Sequence, residues 1–337
     1  MADAKNPEES VLVTGGAGYI GSHVVRDLGE AGYFPVVVDN LSTGNRDHVL
    51  YGEFIEGDIQ NTELITELIG KYNIKSVLHF AASIVVAESV QDPMKYYRNN
   101  SLNSYKLIRT CLASNIEHFV FSSTAAVYGI PERSPIDESA QLKPINPYGK
   151  SKLFTEMLLG DVALAHPGFN YIALRYFNVA GADRGGRIGQ KYQKPTHLIT
   201  RALKTAMGEY DKLCVFGTDY DTPDGTAVRD YIHIDDLASA HLLALGYLKE
   251  RRENGVFNCG YGTGYSVAQV VDSVRRVTGK DFPVENTERR QGDPPALIAD
   301  SSLIRQKMNW QPHCNDLDLI IRNAYEWEKT LLKERGA

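Results

Sequence analysis

Apolar positions in the first half of the chain alternate between two rhythms. Short runs dense in β-branched and aromatic residues recur at 10–14, 34–39, 54–56, 76–81, 118–123 and 171–176. Between them, longer stretches at 20–28, 63–72, 93–114 and 147–165 carry helical spacing. Strands that alternate with helices in this way predict an α/β fold, a parallel sheet covered by helices on both faces. Ligands then gather at the carboxyl ends of the strands. The rhythm breaks after Phe177. Residues 181–195 are rich in glycine and charge and read as a long loop into a second region. There 235–248 and 266–277 read as amphipathic helices, the second with Ser266 as N-cap and Gly279 as its stop. The expected architecture is a doubly wound parallel sheet over 1–178 and a smaller α+β substrate-facing domain over 179–337. The chain is expected to cross back near 229–249.

The densest chemical signal is the join of the first strand to the first helix. Residues 11–21 read Val-Leu-Val-Thr-Gly-Gly-Ala-Gly-Tyr-Ile-Gly. Gly15, Gly16, Gly18 and Gly21 let the backbone turn sharply and let a diphosphate approach bare amides at the positive end of the next helix. The second strand ends in Asp39, where a carboxylate accepts hydrogen bonds from an adenosine ribose and repels a 2′-phosphate. The pair points to NAD rather than NADP.

Composition narrows the partners. The chain has 337 residues, 43% hydrophobic and 23% charged, as in an ordinary soluble globular protein. A net charge of −6 disfavours nucleic acid, while a small anionic ligand needs only one or two local arginines. Cys111, Cys214, Cys259 and Cys314 are scattered and contain no Cys-x-x-Cys pair, so buried free thiols are expected, and neither a zinc site nor disulfides. Residues 1–10 are polar, without the apolar stretch of an export signal, and the longest apolar run, near 77–87, is too short to span a bilayer. A cytoplasmic protein with no membrane partner and no metal is the expectation.

Tyr148 and Lys152 lie four apart and share one face of a helix for which Asn146 can cap and Pro147 suits the first position. The same spacing recurs at Tyr325 and Lys329, in a charged C-terminal stretch that reads as a surface helix. What distinguishes Tyr148 is the Ser122-Ser123-Thr124 run, which ends the fifth strand where ligands gather. A tyrosine acting as base near neutrality must have its pKa lowered by about three units, roughly 4 kcal/mol, from the free value. A neighbouring ammonium, a helix N-terminus and a cationic nicotinamide ring all act in that direction. Thr124 would share a hydrogen bond with the reacting hydroxyl.

Further motifs keep a fixed order: Asp39-Asn40-Leu41, Gly57-Asp58-Ile59, Val127-Tyr128-Gly129, Arg175-Tyr-Phe-Asn178 and Arg229-Asp-Tyr-Ile-His233. With the glycine turn and the tyrosine–lysine pair, they resemble the extended short-chain dehydrogenase/reductases, in particular the 4-epimerases of UDP-hexoses, from about Val11 to Trp327. The resemblance implies a Rossmann sheet, resident NAD and interconversion of UDP-glucose and UDP-galactose by transient oxidation at C4. Tyr148, Lys152 and Thr124 would be catalytic. Cofactor contacts would be Gly15, Gly18, Tyr19, Ile20, Asp39, Asn40, Asp58, Ile59, Phe80, Ala81, Asn99, Ser122, Tyr148, Lys152 and Tyr176. The UDP-sugar would meet Asn178, His197, Leu198, Phe216, Arg229, Arg290, Asp293 and Leu297. A homodimer packed through the helices of 93–114 and 147–165 is also implied.

Each substrate residue has a plainer reading: Arg229 could pair with Asp230, and Phe216 could be core. Two positions depart from the family's familiar bacterial pattern. Ile84 stands where a lysine often approaches the cofactor phosphates, and Leu297 occupies the position that limits room for the sugar's 2-substituent. Thr124 is followed by Ala125 and Ala126, which cannot transfer protons, and this argues against the related dehydratases. A UDP-N-acetylhexosamine or UDP-pentose epimerase, a UDP-sugar decarboxylase and a non-catalytic NAD sensor are the competing readings. The sensor would need none of Tyr148, Lys152 and Thr124.

Overall fold

The computed structural model describes residues 9–290 and 292–336; the polar residues 1–8, read above as lacking an export signal, lie outside them. The chain forms two compact units. One comprises Met1–Ser123, Lys150–Leu174 and Ala238–Val256, the other Thr124–Gly149, Arg175–Leu237 and Phe257–Ala337.

Strands β1 (Ser10–Thr14), β2 (Phe34–Asp39), β3 (Glu53–Glu56), β4 (Ser76–His79), β5 (His118–Ser122) and β6 (Asn170–Tyr176) follow the predicted alternation. After β7 (Asn178–Ala180), β8 (Leu213–Phe216) and β9 (Val228–His233), the strand β10 (Gly255–Cys259) returns to the large sheet. The order across it is β10-β6-β5-β4-β1-β2-β3. β1 pairs in parallel with both β2 and β4, so the strand order reverses at β1, which opens a crevice at the strand ends for a ligand. Val11, Leu12, Val13, Val36, Val37, Val38, Val77 and Leu78 are fully buried, because helices cover both faces and no strand needs a polar side. Leu12, Val36, Val77, Ile65, Leu107, Phe119 and Leu159 form one continuous core on one side.

The predicted helix over 93–114 is broken by a wider turn. Pro93–Tyr96 and Asn103–Ala113 are α-helical, and Tyr97–Leu102 forms a π-helical turn between them. The extra residue in that turn accommodates a buried polar side chain. Asn100, 2% exposed, accepts from the Ser83 amide at 2.8 Å and donates to the Ser83 carbonyl at 2.9 Å and to Ser151 Oγ at 3.0 Å. A short helix at Val86–Gln91, absent from the sequence reading, precedes it.

In the second unit β9 is the hub. It runs parallel to β7, antiparallel to β11 (Gly264–Ser266) and, beyond β12 (Val284–Thr287), parallel to the two-residue β13 (Ala296–Leu297). β12 itself pairs with β8. The helix Val267–Thr278 is bounded as its sequence demands. Ser266 Oγ accepts from the Gln269 amide, the Gln269 side chain accepts from the Ser266 amide, and Gly279 leaves the helix at φ 66°. The four cysteines are free; Cys111, Cys259 and Cys314 are buried, but Cys214 on the narrow β8–β12 ribbon is only partly covered. Among the described residues no helix is long and apolar enough to cross a membrane.

Candidate active site

In the first unit the glycine turn is built by close approach. Gly15 sits at φ 74°, and a Cβ there would lie 2.5 Å from the Ala81 amide nitrogen. A Cβ on Gly21 would collide with the Gly15 carbonyl oxygen and come within 2.8 Å of Gly16 Cα. The helix Tyr19–Glu30 therefore starts hard against β1. Its N-cap, Gly18, offers no side-chain cap, and its first turn holds no acidic residue, so no side-chain cap or carboxylate of the first turn competes with an anion there. Asp39, 8% exposed, accepts from the Ala17 amide at 3.0 Å and the Leu41 amide at 2.9 Å. Burial, the larger effect, raises its pKa, and these amides pull it down. Each carboxylate oxygen keeps a lone pair for a ribose hydroxyl.

Asp58 accepts from Asn40 Nδ2 at 2.9 Å, placing both at the ends of neighbouring strands, and Ile59 is buried beside them. Phe80 and Ala81 leave the end of β4, where both amides donate to the Thr14 carbonyl, and the Phe80 ring lies 4.9 Å from that of His241. Asn99 donates to Ser83 Oγ at 3.0 Å. A bare helix end, a buried carboxylate at the β2 tip and polar groups along the strand ends fit a dinucleotide. Ile84 is exposed and supplies no charge.

The helix Pro147–Ala165 carries Tyr148 in its first turn and Lys152 in its second. Asn146 caps it as expected, its Oδ1 accepting from the Gly149 amide at 2.8 Å. Lys152 is 3% exposed; its Nζ donates to the Ser122 carbonyl at 2.9 Å and lies 4.9 Å from the Phe121 ring centre. Burial brings the ammonium down to about 7, with Glu156 working against it. Tyr148 is 9% exposed and hydrogen-bonded to Thr124. Burial pushes its phenol up, and the Thr124 bond pulls it down. Exclusion of water outweighs the bond, because a phenolate loses more solvation than one hydroxyl returns. Thr124 also accepts from the Ala126 amide at 3.1 Å, which fixes its side chain at the start of the turn Ala125–Val127. The second tyrosine–lysine pair is half-buried on the helix Leu317–Gly336, where Lys329 Nζ lies 4.9 Å from the Tyr325 ring centre and bonds Glu326; the helix is not a plain surface one, since Ile320, Ile321 and Trp327 are buried.

In the second unit, Asn178 on β7 stands in register with Tyr231 on β9. Arg229 on β9 donates to the Val228 and Pro294 carbonyls at 2.8 and 2.9 Å, and its other terminal nitrogen lies 3.7 Å from Asp293. It does not pair with Asp230. That carboxylate is buried and accepts from the Tyr261, Gly262 and Ala299 amides, with burial raising it to about 6. The Arg290 guanidinium stacks 3.8 Å from the Phe216 ring centre, so Phe216 is a platform rather than core. Leu297 on β13 faces Arg229 in register. His197 is the N-cap of the helix Leu198–Ala206, its Nδ1 3.2 Å from the Gln190 side-chain nitrogen; burial lowers its pKa, keeping the ring neutral. Tyr176 ends β6 and is half-buried.

Two tyrosines that the sequence reading passed over stand among these groups. Tyr231 is 3% exposed, pushed by burial up to about 12, and the Arg229 charge acts on it. Tyr192 stacks on His197 with ring centres 6.0 Å apart and is pushed up to about 12 by burial, with Tyr148 nearby acting in the same direction. Tyr231 was open to detection, since it sits inside the Arg229-to-His233 motif. Tyr192 lies in the loop read only as charged and glycine-rich.

A reversing parallel sheet, a bare glycine-walled helix end and a buried lysine one turn beyond a tyrosine are the attributes of nucleotide-dependent reductases and their relatives. Residues 11–260 match the model of the NAD dependent epimerase/dehydratase family, and the chain belongs to that family. It is 49% identical over 337 residues to the UDP-glucose 4-epimerase of Azospirillum brasilense, covering 100% of this chain and 97% of that one. The UDP-glucose 4-epimerase from Brucella ovis, solved in complex with NAD, is 50% identical with a TM-score of 0.92 over 94% of this chain and 97% of its own. The UDP-Glc/GlcNAc 4-epimerase of Campylobacter jejuni is 48% identical with a TM-score of 0.84, over 96% and 99%.

Proposed function

We infer that the chain is an NAD-dependent isomerase that interconverts UDP-glucose and UDP-galactose by inverting C4 of the hexose. The observation that carries this reading is near-half identity along the full length to UDP-glucose 4-epimerases, joined to Tyr148 held by Thr124 on the helix that also bears Lys152. Bound NAD supplies reversible oxidation at C4, and its cationic ring adds the field that offsets the burial of Tyr148.

The chain's own groups do the rest. Tyr148 accepts the proton of the sugar 4-hydroxyl through its phenol oxygen and returns it after the sugar has turned over. Lys152 favours the phenolate electrostatically, and Thr124 steadies the shared hydrogen. Arg229 and Arg290 grip the diphosphate, for which planar guanidinium groups are suited. Phe216, Leu198, Asn178, His197 and Asp293 hold the nucleoside end. The grip on the nucleotide is firm so that the hexose can be held loosely enough to rotate. Gly15, Gly18, Tyr19, Ile20, Asp39, Asn40, Asp58, Ile59, Phe80, Ala81, Asn99, Ser122 and Tyr176 hold the dinucleotide.

The protein works as a cytoplasmic homodimer. Supporting the dimer, Val90, Met94, Leu102, Tyr105, Phe154, Met157 and Leu164 are large exposed apolar residues, all on the helical segments 86–113 and 150–165 of the first unit. Met94 is 74% and Leu164 85% exposed, more than solvent-facing helices normally tolerate in a group. Four free cysteines fit a reducing compartment. The decisive test of the reaction is Tyr148→Phe. It should lose turnover of UDP-galactose by about 10²- to 10⁴-fold while still binding UDP. Normal turnover would remove the base from the scheme.

A further inference from the structure

One buried acid of the first unit has no part in the scheme above. Glu156 follows Lys152 by four residues on the same helix, so both point to one side of it. Glu156 is 5% exposed and Lys152 3%. Two consecutive residues at the end of β5 fix their heads. The Ser122 carbonyl accepts from Lys152 Nζ at 2.9 Å, and Ser123 Oγ donates to Glu156 Oε1. Ser123 is itself fully buried, and its amide donates to the Leu174 carbonyl at 2.9 Å, which fixes the backbone that carries the hydroxyl. The lysine and the acid are thus anchored to neighbouring residues of one strand end, one helical turn apart, where water does not screen them.

We propose that Glu156, aimed by Ser123, is a positioning residue whose buried negative charge keeps Lys152 protonated and thereby sustains the Tyr148 phenolate. The surroundings of Lys152 otherwise oppose its charge. The Phe121 ring and the Ser122 carbonyl give modest support, and His79 on β4 is itself held neutral by burial and by the Lys152 charge. Burial drives the ammonium toward losing its proton near neutrality, and Glu156 is the charged group that resists this. Without it the lysine would give up its proton at still lower pH, and the tyrosine would lose its electrostatic support over a wider range. The inference rests on the roles given to Tyr148 and Lys152 above.

The test uses the NAD-loaded enzyme with lysine labelled at Cε with ¹³C, the Lys152 resonance being assigned by its loss in Lys152→Met. In Glu156→Gln the titration midpoint of Lys152 should fall by about one pH unit or more, and the alkaline limb of kcat should move down with it. Turnover at pH 8 should drop roughly tenfold with KM little changed. Glu156→Asp should recover part of both shifts. A midpoint and limb unmoved in Glu156→Gln would overturn the proposal. Should that variant fail to fold, Ser123→Ala keeps the charge but frees its aim. It should shift the midpoint the same way by less, and no shift there would overturn the proposal equally. The midpoint is read without turnover, so its failure is separable from that of the tyrosine scheme, which Tyr148→Phe tests.

Discussion

The most quantitative expectation concerns His79, which closes β4 and is 1% exposed. Its Nδ1 lies 2.7 Å from Thr14 Oγ1 and its Nε2 2.8 Å from Ser104 Oγ, so both ring nitrogens are used in the neutral form. Burial first, and the Lys152 charge second, hold it at about 3, far below the ordinary 6.5. The folded value lies below the unfolded one, so as pH falls the unfolded chain takes up this proton first. The stability tied to His79 is complete above pH 6.5 and drains away from there down to about 3. At roughly 1.4 kcal/mol for each pH unit, going from 6.5 to 5 removes about 2 kcal/mol. His79→Gln keeps a donor and an acceptor but cannot titrate. Urea unfolding of both proteins at pH 7.5 and pH 5 isolates the term, since every other titrating group cancels between them. The wild type should lose about 2 kcal/mol more than the variant over that interval. Equal losses would show that the imidazole is not held neutral, and the account of its burial would be wrong.

Three other outcomes follow from the same geometry. Gly21→Ala drives a methyl into the Gly15 carbonyl, so the purified variant should carry little NAD, read from its ultraviolet spectrum after acid release. A full complement of cofactor would contradict the close packing of turn and helix. Met94→Lys with Met157→Lys puts two charges on the exposed apolar surface and should convert a dimer to a monomer in sedimentation, with unchanged mass counting against that interface. Leu297→Tyr enlarges the side chain on β13 and should reduce turnover of UDP-N-acetylgalactosamine more than that of UDP-galactose; equal effects would place Leu297 away from the sugar.

Local chemistry explains which parts of this structure could be read from the chain. The β1 turn, the acid at the β2 tip and the Ser266–Gln269 cap are each decided within a few residues, so their sequence signatures carry the geometry. The break at Tyr97–Leu102 was hidden because it is decided by Asn100 bonding Ser83 and Ser151, residues 17 and 51 positions away. The helix Pro147–Ala165 was legible from its spacing and its Asn146-Pro147 start, but not the exposure of Phe154, Met157 and Leu164 on its outer face. The two-residue β13 exists only through its pairing with β9 and has no pattern of its own. In the site, Tyr148 and Lys152 were legible from spacing, but the direction in which burial moves each of them was not, since water exclusion is a property of the assembled fold.

The interleaved segments also set a timetable for biosynthesis. On an elongating ribosome the outer flank of β6 has no neighbour until Gly255–Cys259 has been made, some eighty residues later. A growing polypeptide that stalled within this interval would present an unpaired strand flank, the template on which nascent chains stick together. Chaperone demand should therefore peak late in translation, and a gene fragment cut after Asn178 should yield insoluble material.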